Sequence, residues 1–198
     1  MSPAVEDMND YYDPLSWENL MAALVVHLER QPRMGLTAID NVRGPGVYVL
    51  FYSGLYPAYA AISGGPQPIY AGKAMPKGTR KGTVEKDTGR TALRSRLSQH
   101  RNSIEAATNL DVNDFECRFL AVVPVWITLA EQFLIDHYGP VWNKALDGFG
   151  NNPQGKDRET GKASLWDTLH PGREWAAKRV RTRSEEEVLA LVAEFFRT

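Results

Sequence analysis

The chain has 198 residues, 43% of them hydrophobic, and its 23 basic and 24 acidic side chains leave a formal charge of −1. A lone cysteine, Cys117, rules out an internal disulfide and a cysteine-rich zinc module. No apolar run approaches the ~20 residues of a bilayer crossing, and residues 1–13 are acidic, without the basic and apolar regions of a secretory signal, so a cytoplasmic protein is expected.

The neutral total hides sorted charge. Residues 1–40 carry net −5, 73–101 net +7, 102–155 net −5 and 156–183 net +4. Blocks of this kind set up a strong local field on a neutral protein, although a charge run taken alone is more often a solvated face.

Asp13-Pro14 has the form of a helix cap and first turn, and Leu20, Leu24, Val25 and Leu28 follow at helical spacing, giving a helix over 14–31. Gly44, Pro45 and Gly46 break the chain, and the β-branched and aromatic run 47–52 is expected as a strand. The glycine- and proline-rich stretch 53–67 connects it to a second short strand at 69–71, so the two form a hairpin with a long connection. Residues 73–90 are basic and glycine-rich, without apolar periodicity, and read as an exposed loop. Leu93, Leu97, Ile104 and Ala107 mark a helix over 91–107. Alternation of Phe115, Cys117, Phe119 and Ala121 marks a third strand. The apolar stretch 125–138 is a helix expected to turn Trp126, Leu129, Phe133 and Leu134 inward, and Gly139-Pro140 stops it. A short helix is expected around Trp175, and Ser184 with Glu187 forms a capping box that opens a last helix. The pattern predicts an α+β domain with a small three-stranded, mainly antiparallel sheet flanked by helices. An N-terminal helix, loop insertions and a C-terminal helical extension complete it. We read residues 1–198 as one domain: a core at about 44–145, the N-terminal arm at 14–31 and the extension at 146–198.

Several residues are suited to chemistry. Tyr48 and Tyr70 lie on the two hairpin strands, and Lys73 follows Tyr70 closely. A neutral phenol is a poor base, but an adjacent ammonium favours phenolate; tyrosine is also common in strand cores. Arg96 and His100 are four apart and share a helical face. The arginine suits a phosphate or a developing negative charge, and the histidine a proton. A salt-bridged surface is the plain alternative, weakened by the absence of acids from 88–104. Glu131 stands in the most apolar helix, either facing solvent or placed for a purpose; one carboxylate with phosphate oxygens and waters suits Mg²⁺. Asn143 follows Trp142 just beyond that helix and suits tying a loop or a ligand.

Gly46-Val47-Tyr48, Tyr70-Ala71-Gly72, the Arg96 helix, Glu131 and Asn143, in this order, resemble the GIY-YIG nuclease superfamily. The middle residues, Val and Ala, replace isoleucine but stay apolar. The long gap between the tyrosines, His100 four residues after Arg96, and the segments Asp147-Gly148-Phe149-Gly150-Asn151 and His170-Pro171-Gly172-Arg173-Glu174-Trp175 are similar to its type II restriction enzymes that cut CCGCGG. The resemblance runs over about 44–175.

The resemblance implies hydrolysis of both strands of double-stranded DNA at a short palindrome. Glu131 would bind one Mg²⁺, with Mn²⁺ as a substitute. Tyr48 would act as general base, with Lys73 or His100 holding it reactive, and Arg96 would neutralise developing charge. Tyr70 would position water or phosphate, and Asn143 would tie the centre together. A palindrome implies a homodimer, with the N-terminal helix a candidate for either dimer contacts or internal packing. Loops 77–90 and 150–162 are candidates for reading bases. A cognate methyltransferase is expected in the host rather than as a bound partner. The alternatives are a homing or repair-type nuclease and a catalytically silent DNA-binding protein on the same fold.

Overall fold

The computed structural model describes residues 13–76, 90–151 and 161–197. Its sheet has four antiparallel strands, one more than the pattern predicted. These are β1 (Met34–Gly35), β2 (Gly46–Tyr52), β3 (Tyr70–Ala74) and β4 (Phe115–Ala121), in the spatial order β1-β4-β2-β3. The two-residue β1 is too short to show periodicity in a sequence, and it pairs Met34 with Cys117.

Central β2 is buried along its whole length. Alternation sends Val47, Val49 and Phe51 to one face and Tyr48, Leu50 and Tyr52 to the other. The valine face is covered by α1 (Trp17–Glu29) and α3 (Pro124–Tyr138). The tyrosine face is covered by α2 (Ala92–Ala106) and by the C-terminal helices α4 (Val141–Lys144), α5 (Leu165–Leu169) and α7 (Glu185–Phe195), while the short α6 (Glu174–Ala177) lies between α5 and α7 in the chain. A fully apolar strand in an antiparallel sheet follows from this cover on both faces.

The expected cap of α1 moves. Asp13 accepts from the Leu15 N–H in a turn ahead of the helix, and Ser16 is the N-cap, its hydroxyl accepting from the Asn19 N–H at 3.2 Å. Met21, Val25 and Leu28 of α1 pack within the chain beneath the sheet. The inward stripe of α3 also differs from expectation. Ile127, Ala130 and Leu134 face the sheet, whereas Trp126 and Leu129 are 41% and 45% exposed. The small Ala130 lets the helix lie close to Val47, Val49 and Ala71, and that choice of contact stripe turns the two larger side chains outward. Phe133 is half-buried, edge-on to Trp17. Gly139 ends α3 at φ 53°, a left-handed cap.

The connection 53–69 is packed rather than superficial: Tyr59 and Ile62 enter the core. The capping box of Ser184 and Glu187 forms as expected, and Val188 and Val192 bury α7 against the same core. Among the described residues, no helix is long and apolar enough to cross a membrane.

Candidate active site

Tyr48 and Tyr70 project from neighbouring strands on the same face, with ring centroids 6.3 Å apart. Gly72 pairs with Tyr48 across the sheet. A Cβ on Gly72 would stand 2.5 Å from the Tyr48 Oη, so the residue without a side chain makes room for both phenols. The inward stripe of α2, Leu93, Leu97, His100 and Ile104, delivers His100 to this cluster. Its Nε2 lies 2.6 Å from the Tyr48 Oη, and its ring stacks on Phe149 at 4.6 Å and 17°.

Burial sets the protonation states here. It raises the Tyr48 phenol well above its ordinary value, with Tyr70 adding to the effect and Arg96 opposing it. Burial also pushes His100 well below the ordinary histidine value, and the positive charges of Arg96 and Arg173 push the same way. Both partners are therefore neutral, and one hydrogen bond joins the Tyr48 Oη to the His100 Nε2.

Arg96 stands one turn before His100 and interacts with both phenols. It also donates to Gln99 Oε1 at 2.9 Å and to the Gly150 carbonyl at 2.7 Å. Lys73 lies apart from Tyr48 in its contacts: its ammonium pairs with Glu131 on α3 at 2.7 Å. Lys73 and Ala71 alternate away from the phenol face, so the Lys73–Glu131 pair sits around the edge strand from Tyr48 and Tyr70. The Glu131 charge still reaches both phenols, opposing their ionisation. Asn143, in α4, bonds both backbone groups of Ala71: its Oδ1 accepts from the N–H at 2.8 Å, and its Nδ2 donates to the carbonyl at 2.9 Å.

A second group of residues carries the centre, and sequence reasoning assigned it no role. Arg173 and Asp167 form an ion pair at 2.7 Å with side chains 3% and 4% exposed. The Arg173 fork also donates to the carbonyls of Phe149 at 3.1 Å and Gly148 at 3.0 Å, and its plane lies over Trp166. It thereby holds the 148–151 turn, which supplies the Phe149 ring to His100 and the Gly150 carbonyl to Arg96. The sequence marked the segments 147–151 and 170–175 by resemblance, which specifies neither a pairing nor a role for their residues.

Among the described residues there is no group of three or more His, Cys, Asp or Glu side chains that could hold a metal ion. Among the described residues Glu131 is the one carboxylate at the centre, and the Lys73 ammonium on it marks a cation position. A single carboxylate fits Mg²⁺, which keeps several waters and draws its other oxygens from a phosphate substrate. Of the expected base-reading loops, 77–89 and 152–160 lie outside the described residues.

A mixed-layer α+β fold with two tyrosines on paired strands, an Arg–His helix over them and a glutamate on the helix behind defines a GIY-YIG nuclease domain, a DNA endonuclease class. A family model described as the Eco29kI GIY-YIG domain matches residues 40–196, and the chain belongs to that restriction-endonuclease-like family. No curated protein matches the chain.

Proposed function

We propose that the chain is a type II restriction endonuclease that hydrolyses both strands of a short palindromic DNA site, with CCGCGG the expected sequence. The observation that carries this reading is the buried Tyr48–His100 hydrogen bond beside Arg96. A water attacking the phosphorus gives its proton to the Tyr48 Oη as the phenol proton passes to His100 Nε2. The new P–O bond forms on one side while the ester P–O bond breaks on the other. Arg96 stabilises the charge that gathers on the phosphate. Tyr70 orients the water or phosphate, and Asn143 fixes β3 beneath them. Glu131 would hold one Mg²⁺, which supplies Lewis-acid stabilisation of the phosphate and leaving oxygen when bound.

A homodimer fits a palindrome, each subunit cutting one strand. The exposed apolar stripe of Val125, Trp126 and Leu129 supports a partner surface on α3. A host methyltransferase would protect the same site. Cleavage of plasmid DNA with Mg²⁺ tests the reading. Discrete fragments are expected from the wild type, with Tyr48→Phe slowed about 10²- to 10⁴-fold and Glu131→Ala inactive. Cleavage that survives both changes would remove the assignment.

A further inference from the structure

We propose that the outer stripe of α2, with Asn151 and Trp175, forms a groove that receives the edges of bases beside the cleaved phosphate. This rests on the nuclease reading above and assigns it a base-reading surface. The groove has a volume of about 530 Å³, and Gln99, Asn102, Ser103, Asn151, Glu174 and Trp175 line it. It begins at Arg96. Gln99 accepts from the Arg96 Nη1, and Asn151 follows Gly150, whose carbonyl accepts from Nη2. Residues 96, 99 and 103 follow one another at i, i+3 and i+7 along a single helical stripe. At ~1.5 Å per residue, α2 covers about 10 Å between Arg96 and Ser103. That matches the ~8.5 Å depth of a DNA major groove, from the phosphates at its lip to the base edges on its floor.

The lining chemistry separates bases from backbone. Amides and a hydroxyl donate and accept, as base edges require, and a carboxylate accepts from an exocyclic amino group. Among the described residues the one cation in the lining, Arg173, is 4% exposed and commits its fork to Asp167 and to the Gly148 and Phe149 carbonyls. Glu174 would repel a phosphate in the same place. Gln99, Asn102, Asn151 and Glu174 are exposed and open to a ligand.

Asn102 is the position to test, since it is exposed on the helix and stands clear of the Tyr48–His100–Arg96 cluster. Plasmid DNA of known sequence is digested by the wild type and by Asn102→Ala, and the ends are mapped by sequencing. Binding of a cognate duplex is measured in Ca²⁺ over a salt series. The proposal expects Asn102→Ala to lose about tenfold in preference at one base position next to the cut, with an unchanged salt dependence. Unchanged preference and affinity would overturn it. So would uniform weakening across sequences with a shallower salt dependence, which marks a phosphate contact. An Asn102→Cys variant carrying a thiol-linked photocrosslinker adds a direct reading, because native Cys117 is buried. Crosslinks confined to bases within two nucleotides of the cut support the groove, and crosslinks elsewhere refute it. A wild type that neither binds nor cuts duplex DNA would instead overturn the nuclease reading itself, and the groove with it.

Discussion

The Tyr48 phenol and His100 imidazole meet at 2.6 Å after burial has moved their proton affinities apart, the phenol up and the imidazole down. Neither group alone is a strong base, but the pair can pass a proton without placing a lasting charge on the sheet. Lys73, the other residue weighed for this role, spends its charge on Glu131. That pair is partly exposed, at 32% and 22%, so it holds the carboxylate weakly. Exposed pairs of this kind contribute about 0.2–1 kcal/mol. Lys73→Met is therefore expected to bind Mn²⁺ more tightly without DNA, by at most about fivefold, by the arithmetic of RT ln K. Isothermal titration against the metal alone checks this, and weaker binding would show that Lys73 helps to build the cation position. Tyr48, Tyr70, Arg96, His100, Glu131 and Asn143 were named from the sequence by the order in which they resemble the family's motifs, and the first four also lie in elements whose period is readable locally. The roles of Arg173, Asp167, Phe149 and Gly150 were not legible, because they arise only where distant segments meet.

The edge strand and the 148–151 turn position these side chains, and each has a narrow tolerance. On β3, Gly72 leaves space that two buried phenols already fill. Gly72→Ala would put a Cβ 2.5 Å from the Tyr48 Oη and 2.9 Å from a Tyr70 ring carbon. A shift of ~1 Å in a reacting group costs about 10²-fold, so plasmid cleavage should fall by that order while the β-sheet circular dichroism persists. For the turn, Arg173→Ala would strand Asp167 without its partner and cost about 3–5 kcal/mol of stability. The double variant Arg173→Met with Asp167→Leu removes both charges and should recover most of that loss in urea denaturation. It restores no donor to the Gly148 and Phe149 carbonyls, so cleavage should stay low although the fold returns. Recovery of both together would mean that the fork is only structural. Helix α3 shows where periodicity stops being informative. Its sequence is apolar nearly all round, so a 3.6-residue repeat cannot choose between Leu129 and Ala130 as the inward residue. The packing against Val47, Val49 and Ala71 on β2 and β3 makes the choice, and it selects the smaller side chain.

Two buried histidines tie the stability of the folded chain to pH. His170 accepts from the Tyr59 hydroxyl at Nε2 and donates from Nδ1 to Asn109 Oδ1, while Trp142 Nε1 donates to the Tyr59 oxygen. Burial lowers His170 to about 3, and His100 is lowered well below the ordinary value for the same reason. The unfolded chain therefore binds protons that the folded chain refuses. Stability from these residues is complete above about pH 6.5 and falls as the pH drops toward the folded values, by about 1.4 kcal/mol per pH unit for each histidine. Thermal melts between pH 7.5 and 4 should show this decline, and His170→Asn should leave only the share that His100 contributes. A melting temperature constant over that range would contradict the two neutral, buried rings. The charge blocks seen in the sequence belong to a different level: they describe the field around the molecule, and they foretold neither the fold nor the centre.

Asn143 has a consequence beyond the centre. A sheet that ends in an unpaired strand offers its free backbone groups to any other chain, and growth by strand addition starts there. The carboxamide of Asn143 occupies both groups of Ala71, and the Trp142 N–H takes the Ile69 carbonyl. The strand bearing Tyr70 is thus capped by its own chain at Ile69 and Ala71. A concentrated solution of this protein should then resist fibrillar stacking through β3, and a DNA duplex can approach the strand without competition from a neighbouring molecule's backbone.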